Sequence, residues 1–129
     1  MKYCAVLIAL LLGSCAEPPP PPGPPPAQRP IPELAGRFSG KPKGCVPIQQ
    51  IESLRVSDVN RHVLLYGSGR TIWVNNLGPS CSFNQDDILV THPFGSSYCR
   101  GDIVRSFDRF SRIPGPSCVL SDWIPYNSR

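Results

Sequence analysis

Short apolar segments with β-branched and aromatic residues recur after residue 44, and polar turn signals separate them. This pattern predicts strands, because side chains that alternate along a strand point to opposite faces. Helical periodicity does not extend beyond a couple of turns. The one helical turn that we expect covers residues 47–51, with proline in its first turn. The predicted strands are six, at residues 53–57, 62–66, 71–75, 87–91, 102–108 and 118–124.

Short connections between these strands favour an antiparallel arrangement. The clearest is Gly67-Ser68-Gly69, which joins the second and third strands as a hairpin. Turns are also predicted at Gly78-Pro79, at 92–95 and at 114–116. The sequence therefore predicts an all-β fold, a small antiparallel β-barrel or sandwich of about six strands. The expected core residues are Val56, Leu65, Ile72, Val74, Leu89, Ile103, Phe107 and Leu120.

The first fifteen residues have the layout of a secretory signal, with Lys2, an apolar run over 5–12 and small residues before Cys15. The segment Leu12-Gly13-Ser14-Cys15 resembles a bacterial lipobox, in which the cysteine becomes the lipidated N-terminus. The run is shorter than the ~20 residues that cross a bilayer. The alternative is cleavage after Ala16, which gives a soluble secreted protein. By resemblance to enterobacterial lipoprotein sorting, Ala16 after the lipidated cysteine favours the outer membrane, and we expect the domain to face the periplasm.

Residues 17–32 read EPPPPPGPPPAQRPIP. Proline lacks the amide donor and fixes φ, so this stretch cannot join a helix or a sheet. The sequence therefore predicts a solvated, disordered spacer with polyproline II character. A docking site for an aromatic groove on a partner is the other interpretation. We expect residues 33–43 to be extended and poorly ordered. The predicted organisation is a signal peptide at 1–14, a lipidated, proline-rich linker at 15–43 and a β-domain at 44–129.

The chain has 129 residues and a formal net charge of +4. Its arginines are scattered, without a Lys/Arg block, which argues against nucleic-acid binding. Because export and lipidation are predicted, the expected partners are the membrane, through the lipid anchor, and an envelope protein or polymer.

Four cysteines remain once Cys4 leaves with the signal and Cys15 is lipidated: Cys45, Cys81, Cys99 and Cys118. An even number in a small exported domain predicts two structural disulfides. The chain has no C-x-x-C pair, which argues against a zinc ribbon or thioredoxin-like chemistry. Four cysteines allow three pairings. Of these we expect Cys81–Cys99, closing a mid-domain loop, with Cys45–Cys118, joining the ends of the domain.

The domain resembles a family of small bacterial exported proteins known as a domain of unknown function. The resemblance spans Cys45 to Trp123. It lies in an I-x-S-x-R-V-x-D segment that ends at Asp58, a hairpin that ends in Gly69-Arg70, the Asn76-Leu77 pair and a C-x-x-D run from Cys99. One departure is residues 59–62, where the family pattern implies a more acidic turn. The resemblance implies export and a β-fold, and no activity.

We find no catalytic, metal or cofactor motif. The only histidines are His62 and His92, and no G-x-S-x-G elbow accompanies them. The Asp86-Asp87 pair lacks the further spaced ligands of a calcium loop. The most promising polar and aromatic residues form a candidate recognition patch of Arg55, Asp58, Arg70, Asp102, Trp73 and Tyr66.

The sequence thus predicts a lipid-anchored, non-catalytic binding or structural module of the cell envelope, without a cofactor. The alternatives are a secreted inhibitor or ligand-binding module and, third, a small envelope hydrolase. The hydrolase requires a pocket that holds a histidine beside Ser or Asp.

Overall fold

Ten short strands and one 3-10 turn form the described part of the chain. The computed structural model describes Pro18, Pro19 and residues 29–129; the predicted signal, Cys15 and most of the proline-rich spacer lie outside these residues. The 3-10 turn is Pro32–Leu34. The strands are β1 Phe38–Ser39, β2 Cys45–Pro47, β3 Leu54–Val56, β4 Val63–Tyr66, β5 Thr71–Asn76, β6 Ile88–Thr91, β7 Ser97–Cys99, β8 Ile103–Phe107, β9 Pro114–Val119 and β10 Trp123–Asn127.

All strand pairs are antiparallel and form three sheets. The five-stranded sheet has the order β1-β10-β5-β4-β3, the two-stranded sheet is β2-β7, and the three-stranded sheet is β6-β8-β9. The all-β prediction is confirmed, and the sheets do not close into a barrel. No helix of the described residues has the length and apolar character to cross a bilayer.

The predicted hairpin is confirmed between β4 and β5, where Tyr66 lies opposite Trp73. Gly67 and Gly69 have φ of 87° and 69° in the connection. This left-handed conformation is costly for residues with a Cβ, which explains why both positions are glycine. The predicted helical turn at 47–51 does not form. Instead, Pro47 ends β2.

The sixth predicted strand is two strands in different sheets. β9 ends at Val119 in the three-stranded sheet, and β10 begins at Trp123 in the five-stranded sheet. Pro114 and Pro116, predicted to form a turn, lie instead in β9. β9 is an edge strand, where a residue without an amide hydrogen can face away from the ladder.

Two hydrophobic cores lie on opposite faces of β4. Leu64 and Tyr66 belong to the main core, which contains residues from all three sheets, and Val63 and Leu65 belong to a second core. Because strand side chains alternate, buried residues on both faces give the continuous apolar run Val63–Tyr66.

Five of the expected core residues are buried: Val56, Leu65, Ile72, Val74 and Leu120. Leu89 and Phe107 are half-buried. Ile103 is 49% exposed, so the prediction that it belongs to the core was wrong. The largest fully buried side chains that the sequence did not single out are Trp123 and Phe83.

The segment before residue 44 belongs to the fold, which begins earlier than the predicted boundary. Ile31 and Leu34 pack against the second core. Arg37 donates to the carbonyls of Gly69 and Arg70 at 2.7 and 3.0 Å. Further along, β1 pairs with β10. Apolar residues on the far face of the five-stranded sheet therefore find their cover in this N-terminal segment.

The four cysteines form two disulfides, as predicted, but the expected pairing of Cys81 with Cys99 and Cys45 with Cys118 was wrong. Cys45 bonds Cys99 and Cys81 bonds Cys118. The first pair lies directly opposite across β2 and β7, with the Cα atoms 4.0 Å apart. The second joins the loop after β5 to β9, with a Cα separation of 6.0 Å. Sheet pairing decides which cysteines meet, and the spacing along the sequence does not contain that information.

Candidate functional site

The two aromatic members of the candidate recognition patch lie side by side, but one is buried. Tyr66 is 2% exposed, and its hydroxyl accepts from the amide of Gln49 at 2.6 Å and donates to the carbonyl of Pro47 at 3.3 Å. Trp73 is half-buried, with Lys43 Nζ 5.5 Å from its ring centroid. Tyr66 therefore anchors the β2 end of the main core, and only Trp73 presents surface to a partner.

The charged members of the patch are spread over different parts of the fold. Arg55 pairs with Glu33 at 3.4 Å and donates to the carbonyl of Gly67 at 3.1 Å. Asp58 and Arg70 are exposed in separate turns. Asp102 belongs to the turn before β8, where its carboxylate accepts from the amide of Cys99 at 2.8 Å. Among the described residues, the ion pairs join Arg55 to Glu33 and Arg100 to Asp122, so the four charged members of the patch do not pair with one another.

The two histidines lie apart and in different surroundings. His62 Nδ1 is 2.7 Å from the carbonyl oxygen of Cys81, which fixes the ring against the loop before β6. His92 is exposed in the loop after β6. The described residues contain no group of three or more His, Cys, Asp or Glu side chains placed to hold a metal ion.

The three-stranded sheet carries an apolar outer face, and this face was not among the sequence predictions. β8 alternates between buried Val104 and Ser106 and exposed Ile103 and Arg105. Residues opposite one another in neighbouring strands share a face. One row of outward-facing side chains therefore crosses all three strands; its pairs are Ile103–Val119, Arg105–Val90 and Phe107–Ile88.

The loops at the two ends of this sheet extend the apolar surface. Phe94, after β6, is 94% exposed, and Phe110, after β8, is 85% exposed. Six of the eight large hydrophobic side chains that are exposed in the described residues belong to this sheet and its loops: Ile88, Phe94, Ile103, Phe110, Ile113 and Val119. Such a concentration marks an interaction surface more often than a solvated one.

Two carboxylates beside this sheet, those of Asp87 and Asp108, accept hydrogen bonds from backbone amides in the adjacent loops. Asp108 accepts from the amides of Phe110 and Ser111 at 2.9 and 2.7 Å. These bonds, together with one from the Ser111 hydroxyl, lower the pKa of the Asp108 carboxyl; the backbone bond from Ser111 has the largest effect. Asp87 accepts from the amide of Asn84 at 2.9 Å. Asp86 is exposed and has no hydrogen bond among the described residues.

A surface cavity of about 400 Å³ lies where β6 begins. Its lining is polar except for Phe110 and includes Arg61, whose guanidinium donates to the Phe83 carbonyl at 3.0 Å and to the Asn84 side chain. The lining residues are Arg61, Asn84, Gln85, Asp86, Asp87, Asp108 and Phe110. A smaller cavity of about 240 Å³ lies at the other end of β6, between Phe94, Ile103 and Arg105.

Sequence reasoning missed this surface because it searched for polar chemistry and assigned apolar strand residues to the core. A signal was present in β8, where Ile103 and Arg105 share a face. A strand that alternates Ile with Arg on one side and Val with Ser on the other does not show by itself which side is buried.

Comparisons of the chain with protein-family models, with curated proteins and with solved structures find no match. The site therefore stands on its geometry: an apolar sheet face, an exposed aromatic residue at each end, and a cavity beside the first residues of β6.

Proposed function

We propose that the protein is a lipid-anchored protein of the cell envelope, held at the outer membrane and facing the periplasm, whose β-domain acts by non-catalytic association. The oxidised frame of Cys45–Cys99 and Cys81–Cys118 is typical of domains that fold outside the reducing cytosol. The N-terminal sequence supplies the export signal and the lipidation cysteine, Cys15.

The observation that carries the binding role is the concentration of exposed apolar side chains on one sheet. Removing apolar surface from water favours association. Interfaces have such an apolar centre with polar residues around it, and Phe and Arg are frequent among them. Ile103, Arg105 and Val119 fit this description.

The resemblance to exported bacterial domains supports the same proposal, as does the spacer. The proline-rich sequence between residues 17 and 30 predicts a polyproline II spacer, which at ~3.1 Å per residue has a length of roughly 40 Å. The spacer gives the domain room to meet a partner beside the membrane. A secreted inhibitor or ligand-binding module is the alternative if Cys15 is not lipidated.

The experiment that tests the anchor compares Cys15→Ala with Cys4→Ala in cells that carry the full chain. Both variants remove one cysteine from the N-terminal region, but only Cys15 is the proposed lipidation site. We expect the Cys4→Ala protein to stay in the detergent-extracted membrane fraction with a diacylglycerol adduct. The Cys15→Ala protein is expected in the soluble envelope fraction.

Identical fractionation of the two variants overturns the lipid anchor. An unprocessed chain in the cytosol, with reduced Cys45, Cys81, Cys99 and Cys118, overturns export altogether.

A further inference from the structure

We propose that strand β6 pairs with β6 of a second copy of this chain and joins the two three-stranded sheets into one antiparallel sheet of six strands. The twofold axis passes through Leu89. The proposal names the partner for the binding role above and does not depend on the lipid anchor.

The two edges of the three-stranded sheet differ in how they are protected. β9 carries Pro114 and Pro116, which have no amide hydrogen to offer a neighbouring strand. β6 contains no proline, no charged residue and no bulge. Outside its ladder with β8, the backbone of residues 88–91 forms no hydrogen bond within the described chain. This edge is therefore ready to accept another strand.

Antiparallel pairing about Leu89 places Ile88 of each copy opposite Val90 of the other. Both residues lie on the apolar outer face, so the pairing extends one continuous face across the two copies. A shift of the axis to Val90 would place Ile88 opposite the second copy's His92 and would leave one Val90–Val90 pair instead of two Ile88–Val90 pairs. Cross-strand apolar pairs therefore select the axis at Leu89.

The same pairing directs an exposed aromatic residue toward the cavity of the other copy. Phe94 follows β6 by three residues, and the cavity of about 400 Å³ precedes β6. In an antiparallel pair, the end of one strand lies beside the beginning of the other. The second copy's Phe94 then reaches the wall formed by Asn84 and Phe110, close to the Arg61 guanidinium. The contact occurs twice, because the axis is twofold.

Polar side chains are also complementary at the two ends of the paired strands, since an imidazole can hydrogen-bond to a carboxylate. The second copy's His92 comes beside the turn at 84–87, where Asp86 is exposed and has no hydrogen bond among the described residues. Swapping the two residues, Asp86→His with His92→Asp, keeps the complementarity, whereas Asp86→His alone removes it.

The experiment measures the association of residues 16–129, the chain without the predicted signal and lipidated cysteine, by sedimentation equilibrium. This segment contains every described strand and both disulfides. We expect a concentration-dependent dimer. Val90→Lys places two ammonium groups beside the axis, and we expect the dimer dissociation constant to rise at least ~tenfold.

Val119→Lys is the matched control, because Val119 also lies on an edge strand and on the same outer face. It is expected to leave the dissociation constant unchanged. Phe94→Ala is expected to weaken the dimer, and the Asp86→His, His92→Asp double variant is expected to associate more tightly than Asp86→His alone. An equal effect of the two lysines overturns the proposal, as does a chain that remains monomeric.

A second measurement uses the full chain in cells. Leu89→Cys places two thiols at the axis, at the Cα separation of an opposed strand pair, so a disulfide-linked dimer is expected on a non-reducing gel. Val119→Cys is expected to give none. A cross-link from Leu89→Cys to a different protein identifies another occupant of this edge and overturns the second copy as the partner.

Discussion

Asn75 and Ser121 are joined by three hydrogen bonds between β5 and the corner that precedes β10. Asn75 Nδ2 donates to the Ser121 carbonyl at 2.7 Å. The amide and hydroxyl of Ser121 donate to Asn75 Oδ1 at 2.9 and 3.1 Å. Asn75 is fully buried, and Ser121 lies where the chain passes from β9 in one sheet to β10 in another. One side chain therefore fixes the place at which the chain changes sheets.

Asn75→Ala is expected to lower the free energy of unfolding by about 2–4 kcal/mol. The variant leaves the amide and carbonyl of Ser121 without their partner, and each unsatisfied buried group costs roughly 1–3 kcal/mol. Urea unfolding of the oxidised protein measures the change. The neighbouring Asn76→Ala is the control, because Asn76 is exposed and contributes only its backbone carbonyl to Ser121, at 2.6 Å. Equal losses in the two variants would refute the role of the Asn75 amide.

Gly115→Ala is expected to destabilise the domain by about 1–3 kcal/mol, the usual cost of overpacking. A Cβ at Gly115 would collide with the hydroxyl of buried Ser106 and lie 3.5 Å from its Cβ. Gly44→Ala is the matched control, since a Cβ there meets nothing within 4 Å. Adding Ser106→Ala to Gly115→Ala is expected to recover much of the loss. Thermal melting of the four proteins checks this, and a lack of recovery would exclude the collision as the cause.

Peptide mapping without reduction is expected to find Cys45 linked to Cys99 and Cys81 linked to Cys118. Their sequence separations are 54 and 37 residues. On the chain-entropy estimate, either bond contributes about 4 kcal/mol. The Cys45→Ser, Cys99→Ser double variant is therefore expected to unfold at much lower urea than the wild type. Peptides that link Cys81 to Cys99 would contradict the pairing.

Arg37→Ala is expected to release the N-terminal segment while leaving the main core folded. Arg37 holds the carbonyls of Glu33, Gly69 and Arg70, and so ties this segment to the β4–β5 turn. Hydrogen exchange is expected to become faster in residues 31–40 and to stay unchanged in β4 and β5. Lys41→Ala is the control, because Lys41 is exposed. Faster exchange throughout the domain would show that the segment is not a separate unit.

The loop of residues 108–113 is expected to loosen at acidic pH. Hydrogen bonds from Ser111 and Phe110 lower the pKa of the Asp108 carboxyl in the folded protein. The carboxylate therefore stabilises the loop fully above the pKa of the unfolded chain, and this contribution is lost as the pH falls through the lower, folded-state pKa. The amide NMR shifts of Phe110 and Ser111 are expected to titrate below the ordinary range of aspartate. Asp108→Asn is expected to abolish this titration, and a midpoint at or above the ordinary value would contradict it.

The sequence predicted the strands well where the pattern is local. The β4–β5 hairpin has β-branched and aromatic residues on both sides of a glycine turn, and it forms as expected. The prediction of one continuous strand at 118–124 was wrong, because the bend at Ser121 depends on Asn75, which is 46 residues away. No local pattern records a partner at that distance.

The candidate patch failed as a group for a similar reason. Arg55, Asp58, Arg70 and Asp102 belong to different turns and sheets. The exposed apolar face instead includes Ile88, Ile103 and Val119, whose residue types alone do not separate them from core residues. Only the register of β6, β8 and β9 shows that they face outward.

The position of the Cys45–Cys99 bond has a mechanical consequence. A force that pulls on the N-terminus acts first on the Arg37 contacts and the two-residue strand β1, which peel from β10 one pair at a time. Peeling ends at Cys45, because the covalent link to β7 transfers the tension past the strand pairs. The domain can thus release residues 29–44 and lose the cover that Ile31 and Leu34 give the second core, while the main core keeps its packing.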